Sequence, residues 1–221
     1  MQTKTDTVTY CNCMEEIRRR VALVQSVLAS SITTGHNDLD IELIFVQFRK
    51  SLELIAFASL TANRAKYSAA HANFAAHWKA KAMLEAVEKL NPNYYPVPLE
   101  LPRTLDTNVK HFEPVVDGYL TKSDFVVLYD KSSEILHARI PFSAKDPVVQ
   151  IGYSVAKWIE RIQRLLGLHL VHLVDDDTKW IVEINNDGPV KLYPVSAVDA
   201  AAGGLSVPTR TPQVPTDESS A

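Results

Sequence analysis

The sequence predicts a mainly α fold: a bundle of about five helices, a small C-terminal three-stranded antiparallel sheet and a disordered tail. Three observations predict it. Before residue 167, apolar side chains recur at helical three- and four-residue steps in stretch after stretch. From Leu168 the pattern switches to short β-rich runs split by polar turns. After residue 199 large apolar groups become few, and Ala, Gly, Ser, Thr and Pro dominate. The expected organisation is a single α-dominated domain over 1–198, with the bundle at 12–167, a β-meander at 168–195 and the disordered tail at 199–221.

The elements follow in order. Residues 1–11 are polar and expected to fray. Asn12 is the expected N-cap of the first helix, with Glu15 as its capping-box partner. Met14, Ile17, Val21, Val24 and Leu28 form its apolar seam. Glu15 with Arg19, and Glu16 with Arg20, have i,i+4 spacing. Arg18, Arg19 and Arg20 read as a solvated helix face rather than a phosphate site. Thr33 to Asn37 break the pattern, and Asp38 is the expected cap of a central helix running to about Ala62. That helix is apolar almost all round, which places it among other helices. Glu42, Arg49 and Glu53 nevertheless fall near one line of its wheel, and charge on a central helix has to be paired, solvated or used. An Ala-rich helix is expected over Lys66 to Leu90, stopped by Asn91-Pro92.

Residues 91–118 carry Pro92, Pro96, Pro98, Pro102 and Pro114 and read as a long connection without helix or central strand. Tyr94, Tyr95, Phe112 and Tyr119 are its expected anchors. Thr121 to Asp124 is a capping-box-like start, with Asp in place of the usual Glu or Gln. The next helix carries Phe125, Leu128, Tyr129, Ser132 and Leu136 on one face. A last helix is expected from Asp146 and Pro147, with its seam at Val148, Ile151, Val155, Trp158, Ile162 and Leu165, and Gly167 as C-cap. Strands are expected at 168–174, 179–184 and 190–195.

Composition bounds the function classes. A net charge of −3 over 221 residues gives no global attraction to nucleic acid or anionic membrane, so any polyanion site would be a local patch. The most apolar window, 41–60, contains Glu42, Gln47, Arg49, Lys50 and Glu53, and is a poor membrane span. The N-terminus lacks an apolar signal core, and a cytoplasmic location is expected. Cys11 and Cys13, one residue apart, read as reduced thiols rather than a disulfide or half of a metal site. His71 and His77 do not converge, and His169 and His172 point to opposite faces of a strand. Asp175 to Asp177 read as a hairpin turn. No metal site and no cofactor are expected.

The stretch that suggests chemistry is Leu128 to Phe142. On a helix, Glu134 and His137 lie one turn apart, Lys131 two turns behind His137, and Arg139 follows near the end. A histidine oriented by a carboxylate, with cations nearby, suits acid–base chemistry on a phosphodiester. The duller alternative is that His137 and Arg139 satisfy carbonyls at the helix end.

A helical bundle with a basic residue, a short gap and a histidine on a late helix resembles the HEPN superfamily, small bacterial bundles frequently found in toxin–antitoxin and phage-defence systems. The family pattern is Arg, a polar residue, then His after four to six positions. Here Lys131 stands where Arg is expected, Ser132 takes the polar position, and five residues separate Lys131 from His137. Lysine lacks the guanidinium fork. A second match runs from Arg64 to His71. The segments ELIFVQFRKSLELIAFASL and GYLTKSDFVVLYDKSSEILHARIPF also look like a class of bacterial proteins of this size. The resemblance implies metal-independent RNA cleavage at a homodimer interface. His137 would be acid or base toward the 2′-hydroxyl, Lys131 and Arg139 would steady the phosphate, Glu134 would orient the ring, and Arg49 and Glu53 would support from the central helix. It implies RNA and an antitoxin-like protein as partners. The competing expectation is a non-catalytic interaction or scaffold protein that dimerises through the same helices.

Overall fold

The computed structural model describes residues 4–64, 66, 80–106, 109–138, 150–174, 178–184, 188–196 and 205–208. Within them lie five helices: α1 (Lys4–Leu28), α2 (Asn37–Ala62), α3 (Ala80–Leu90), α4 (Lys122–Leu136) and α5 (Val155–Leu166). Strands β1 (Val97–Pro98), β2 (Arg103–Asp106) and β3 (Val109–Phe112) precede α4. Strands β4 (Leu168–His172), β5 (Thr178–Glu183), β6 (Lys191–Ser196) and β7 (Leu205–Pro208) follow α5. The mainly helical class with an antiparallel C-terminal sheet is as expected.

Helix α1 starts two turns before Asn12. The apolar seam extends backward through Tyr10 and Cys11, both buried, and at its other end Val27 is buried while the expected Leu28 is exposed. Asp6 complements the dipole in the first turn and pairs with Arg64 at 3.2 Å. Tertiary burial thus overrides the polar look of residues 4–11. The arginine cluster is largely committed. Arg18 pairs with Glu15 and donates to the Gly188 carbonyl, while Arg19 and Arg20 both reach Glu16. Glu15 therefore meets Arg18, not Arg19.

Helix α2 is central. Phe48, Leu52, Ile55 and Ala56 are fully enclosed, and α1, α3 and α4 pack around it. Its cap is not Asp38. His36 takes the N-cap position without a side-chain bond, and Asp38 lies in the first turn. Asp40 fixes the entry instead, accepting from the Thr34 N–H and the Thr33 hydroxyl at 2.7 Å each. The backbone bond from Thr34 holds its carboxyl below the ordinary aspartate value. Of the expected Lys66–Leu90 helix, the described part is α3; residues 67–79, with His71 and His77, lie outside the described residues.

The proline-rich connection contains three short strands that composition did not suggest. Strand β1 pairs antiparallel with β4, placing Val97 opposite Leu170. Pro98 is tolerated because β1 is the edge of that sheet. Strands β2 and β3 form a hairpin, and β7 adds to β3. Residues 205–208, in the segment expected to be disordered, are therefore a strand; 197–204 and 209–221 lie outside the described residues. The aromatic anchors behave as expected. Tyr94 and Tyr95 are buried, and the Tyr95 hydroxyl donates to the Leu120 carbonyl at 2.9 Å.

Thr121 caps α4 with both reciprocal bonds of a capping box, Asp124 serving in the glutamate role. Arg161 of α5 locks the Asp124 carboxylate in an ion pair, and its bonds with Thr121 and Arg161 hold the carboxyl below its ordinary value against the opposing effect of burial. Helix α5 does not extend back to Ile151. Gly152 has φ +73° and turns the chain, and Ser154 caps the helix by accepting from the Lys157 N–H at 3.2 Å. The start expected at Asp146–Pro147 falls outside the described residues, as does Arg139. Gly167 is the C-cap, as expected. A Cβ there would sit 2.9 Å from the Gln163 carbonyl oxygen.

The meander β4–β5–β6 has the expected order, with β1 added outside β4. Its inner face, with Val171, Trp180, Val182 and Leu192, closes the helical core. On its other face Leu170 and Ile181 pack with Leu99 and Phe112 from the proline-rich connection. No helix among the described residues is long and apolar enough to cross a membrane.

Candidate functional site

Helix α4 presents Tyr129, Ser133, Leu136 and His137 at four-, three- and one-residue steps. That spacing keeps Tyr129, Ser133 and Leu136 along one side of the helix. Arg49 of α2 meets that side. Its guanidinium donates to the Tyr129 hydroxyl at 2.8 Å and to the Ser133 hydroxyl, and its Nε pairs with Glu53 at 3.2 Å. It also stacks 4.3 Å from the Tyr129 ring centroid. Three of the guanidinium's five N–H groups are thereby used. Side-chain exposure of about 30% for both Arg49 and Glu53 leaves the pair at the surface, where its Coulombic contribution is small. The Arg49–Glu53 charge is paired within α2, and the guanidinium fork also ties α2 to α4.

His137 stands at the mouth of this arrangement. It is the C-cap of α4: its N–H still donates to the Ser133 carbonyl at 3.1 Å, and its ψ of 134° turns the backbone after it off the helix. It is exposed. It lines a hollow of about 310 Å³ with Arg49, Ser133 and Leu136. It also lines a second hollow of about 560 Å³ with Asp38, Ile41, Glu42, Ile135 and Leu136. The two hollows share Leu136 and His137 in their walls and lie along the seam between α2 and the end of α4; this adjoining pair is the groove. Asp38, Glu42, Arg49 and Glu53 share one face of α2, since steps of four and seven residues return to nearly the same angle. The groove therefore runs from two carboxylates, past an imidazole, to a guanidinium. The side chains of Asp38, Glu42 and His137 have no hydrogen-bond or ion-pair partner among the described residues.

The residues singled out in the sequence divide into two groups. His137, Arg49 and Glu53 belong to the groove or its wall. Lys131 and Glu134 pair with each other at 2.8 Å. Lys131 is two residues from both Tyr129 and Ser133, about 200° round the helix, and so faces away from Arg49. Glu134 bonds Lys131 rather than the imidazole, although it lies one turn before His137. Arg139 lies outside the described residues. The partners missed in the sequence are Ser133 and Tyr129 as acceptors for Arg49, and Asp38 and Glu42 as groove walls. The i,i+4 step from Tyr129 to Ser133 was the available signal for the first pair.

The most perturbed histidine lies elsewhere. His169 is wholly buried on β4, with Nδ1 2.8 Å from the Leu166 carbonyl and Nε2 2.8 Å from the Tyr10 hydroxyl. The carbonyl can only accept, so Nδ1 carries the proton and Nε2 accepts from Tyr10. Burial pushes its pKa down to about 4. Tyr10 is held well above its ordinary value, first by burial. Burial likewise raises both thiols, Cys11 and Cys13, to about 11, so each is a poor nucleophile at neutral pH. Among the described residues no three His, Cys, Asp or Glu side chains gather as a metal site.

Comparison of the chain with protein-family models, curated proteins and solved structures finds no match. What fold and site define is thus a class: a helical bundle closed by an antiparallel sheet, with a mixed-charge groove between two of its helices.

Proposed function

We propose that the α2/α4 groove binds single-stranded RNA in an HEPN-like manner, with His137 as the acid–base group for metal-independent cleavage. The observation that carries this reading is the placement of Arg49 and His137 on one solvent-open groove. Arg49 is held by Tyr129 and Ser133 in a fixed orientation, with N–H groups left for a phosphate oxygen. His137 is unencumbered and can exchange a proton with a 2′-hydroxyl. A role in toxin–antitoxin or defence systems, with a homodimer and an antitoxin-like partner, follows from the same resemblance.

The test is incubation of the purified protein with total RNA in EDTA beside His137→Ala. Cleavage by the native chain that is lost in the variant supports the reading. His137 is exposed, so the variant should retain its thermal midpoint. A second reading, a non-catalytic interaction protein, is favoured by one observation: the Lys131–Glu134 pair sits away from the groove, leaving no second described cation beside His137. RNA that binds but stays intact in EDTA points to that reading.

A further inference from the structure

Resting on the RNA reading of this groove, we infer that its acidic half reads the base: Glu42 selects guanine, while Arg49 holds the neighbouring phosphate. The groove is chemically graded. At one end lies the guanidinium. At the other, a hollow of about 560 Å³ is lined by Ile41, Ile135 and Leu136, with Asp38 and Glu42 on its α2 wall. A phosphate cannot occupy that end, because two carboxylates repel it. A base can. Ile41, about half exposed, and Leu136 supply apolar surface for a ring face, and the volume lies in the range of small-ligand pockets.

The spacing fits a single nucleotide. Glu42 and Arg49 are seven residues apart on one face, about 10 Å along the axis. A nucleotide bridges such a span from its phosphate to its Watson–Crick edge. A carboxylate has two acceptor oxygens and no donor. Guanine presents two adjacent N–H donors on that edge, N1–H and the N2 amino group, and so matches both oxygens at once. Uracil offers a single N–H between two carbonyls that face the carboxylate unfavourably. Bases in single-stranded RNA are read on this edge. Glu42 has no partner among the described residues, so binding guanine would break no existing ion pair. Asp38, one turn earlier, adds negative potential that disfavours carbonyl-rich edges.

The test uses fluorescence anisotropy with two short labelled RNAs, an all-uridine heptamer and the same heptamer with one central guanosine. The full chain is expected to bind the guanosine strand roughly tenfold tighter, the discrimination typical of one bidentate base contact. In Glu42→Gln the ratio of the two affinities should fall to about one, because Gln replaces one acceptor with a donor. Glu42 is exposed, so the variant is expected to fold, with unchanged circular dichroism as the check. Equal binding of both strands by the native chain, or a preference that survives in Glu42→Gln, overturns the base-reading role while leaving RNA binding intact. No binding of either strand overturns the RNA reading itself and this inference with it.

Discussion

The buried His169 makes stability depend on pH in a calculable way. In the unfolded chain a histidine titrates near 6.5; in the fold burial holds it near 4. Above pH 6.5 both states are neutral and no cost arises. Between pH 6.5 and 4 the unfolded chain binds a proton that the native state does not, so stability falls as pH falls. A tenfold difference in proton affinity between the two states is worth about 1.4 kcal/mol, so roughly 3 kcal/mol is at stake across the window, and about 2–3 kcal/mol by pH 4.5. The molecular cause is plain. A second proton on Nε2 would remove the acceptor for the Tyr10 hydroxyl, and the charge would lie in a core walled by Trp180 and Tyr10. Urea unfolding of the native chain and of His169→Gln at pH 7 and pH 4.5 measures it. The variant starts less stable, by about 1–3 kcal/mol, from disturbed buried hydrogen bonds. With a urea dependence of about 2 kcal/mol per molar, the native midpoint should fall about 1 M further than the variant's between the two pH values. Carboxylates such as Asp124 add acid sensitivity to both proteins and cancel in the difference. Parallel falls would refute the assignment of His169 as a buried neutral imidazole.

Two further outcomes follow from packing and pairing. Gly167→Ala places a methyl 2.9 Å from the Gln163 carbonyl oxygen at the junction of α5 and β4, so a thermal melt should show a loss of about 1–3 kcal/mol. Lys131→Ala removes a surface pair facing away from Arg49; it should change stability by less than about 1 kcal/mol and leave RNA affinity and cleavage unaltered, whereas Arg49→Lys should weaken RNA binding through loss of the fork.

The helical class, the seam of α1, the capping box at Thr121, the cap at Gly167 and the meander were legible because each rests on local chemistry. Periodicity, a side chain three residues from its backbone partner, and a turn between β-rich runs all lie within a short window of sequence. What was not legible depends on partners far along the chain. The first two turns of α1 hold because Tyr10 meets His169, 159 residues away. The strands of the proline-rich connection exist because β4 offers an edge and β7 returns to cover β3. Helix α5 starts late because Gly152 turns the chain and Ser154 supplies a cap, and a continuous apolar spacing through Ile151 concealed both.

The site follows the same logic. The sequence window around His137 invited a reading in which Lys131 and Glu134 serve the histidine, because i,i+3 spacing on a continuous helix brings side chains together. The backbone spacing holds, since the His137 N–H still closes onto the Ser133 carbonyl, but Glu134 takes Lys131 as its partner at 2.8 Å. That pairing leaves the imidazole to share its two hollows with residues of α2, Arg49 in one and Glu42 in the other. On the proposed RNA reading, the cation beside His137 would come from α2 and not from its own helix. An arginine anchored to Tyr129 and Ser133 before any ligand arrives loses less conformational freedom on binding than a free surface lysine would. The paired Glu53 limits its net charge, so on the proposed reading Arg49 would orient a phosphate more than attract it, and the base end of the groove would set RNA affinity as much as the phosphate end.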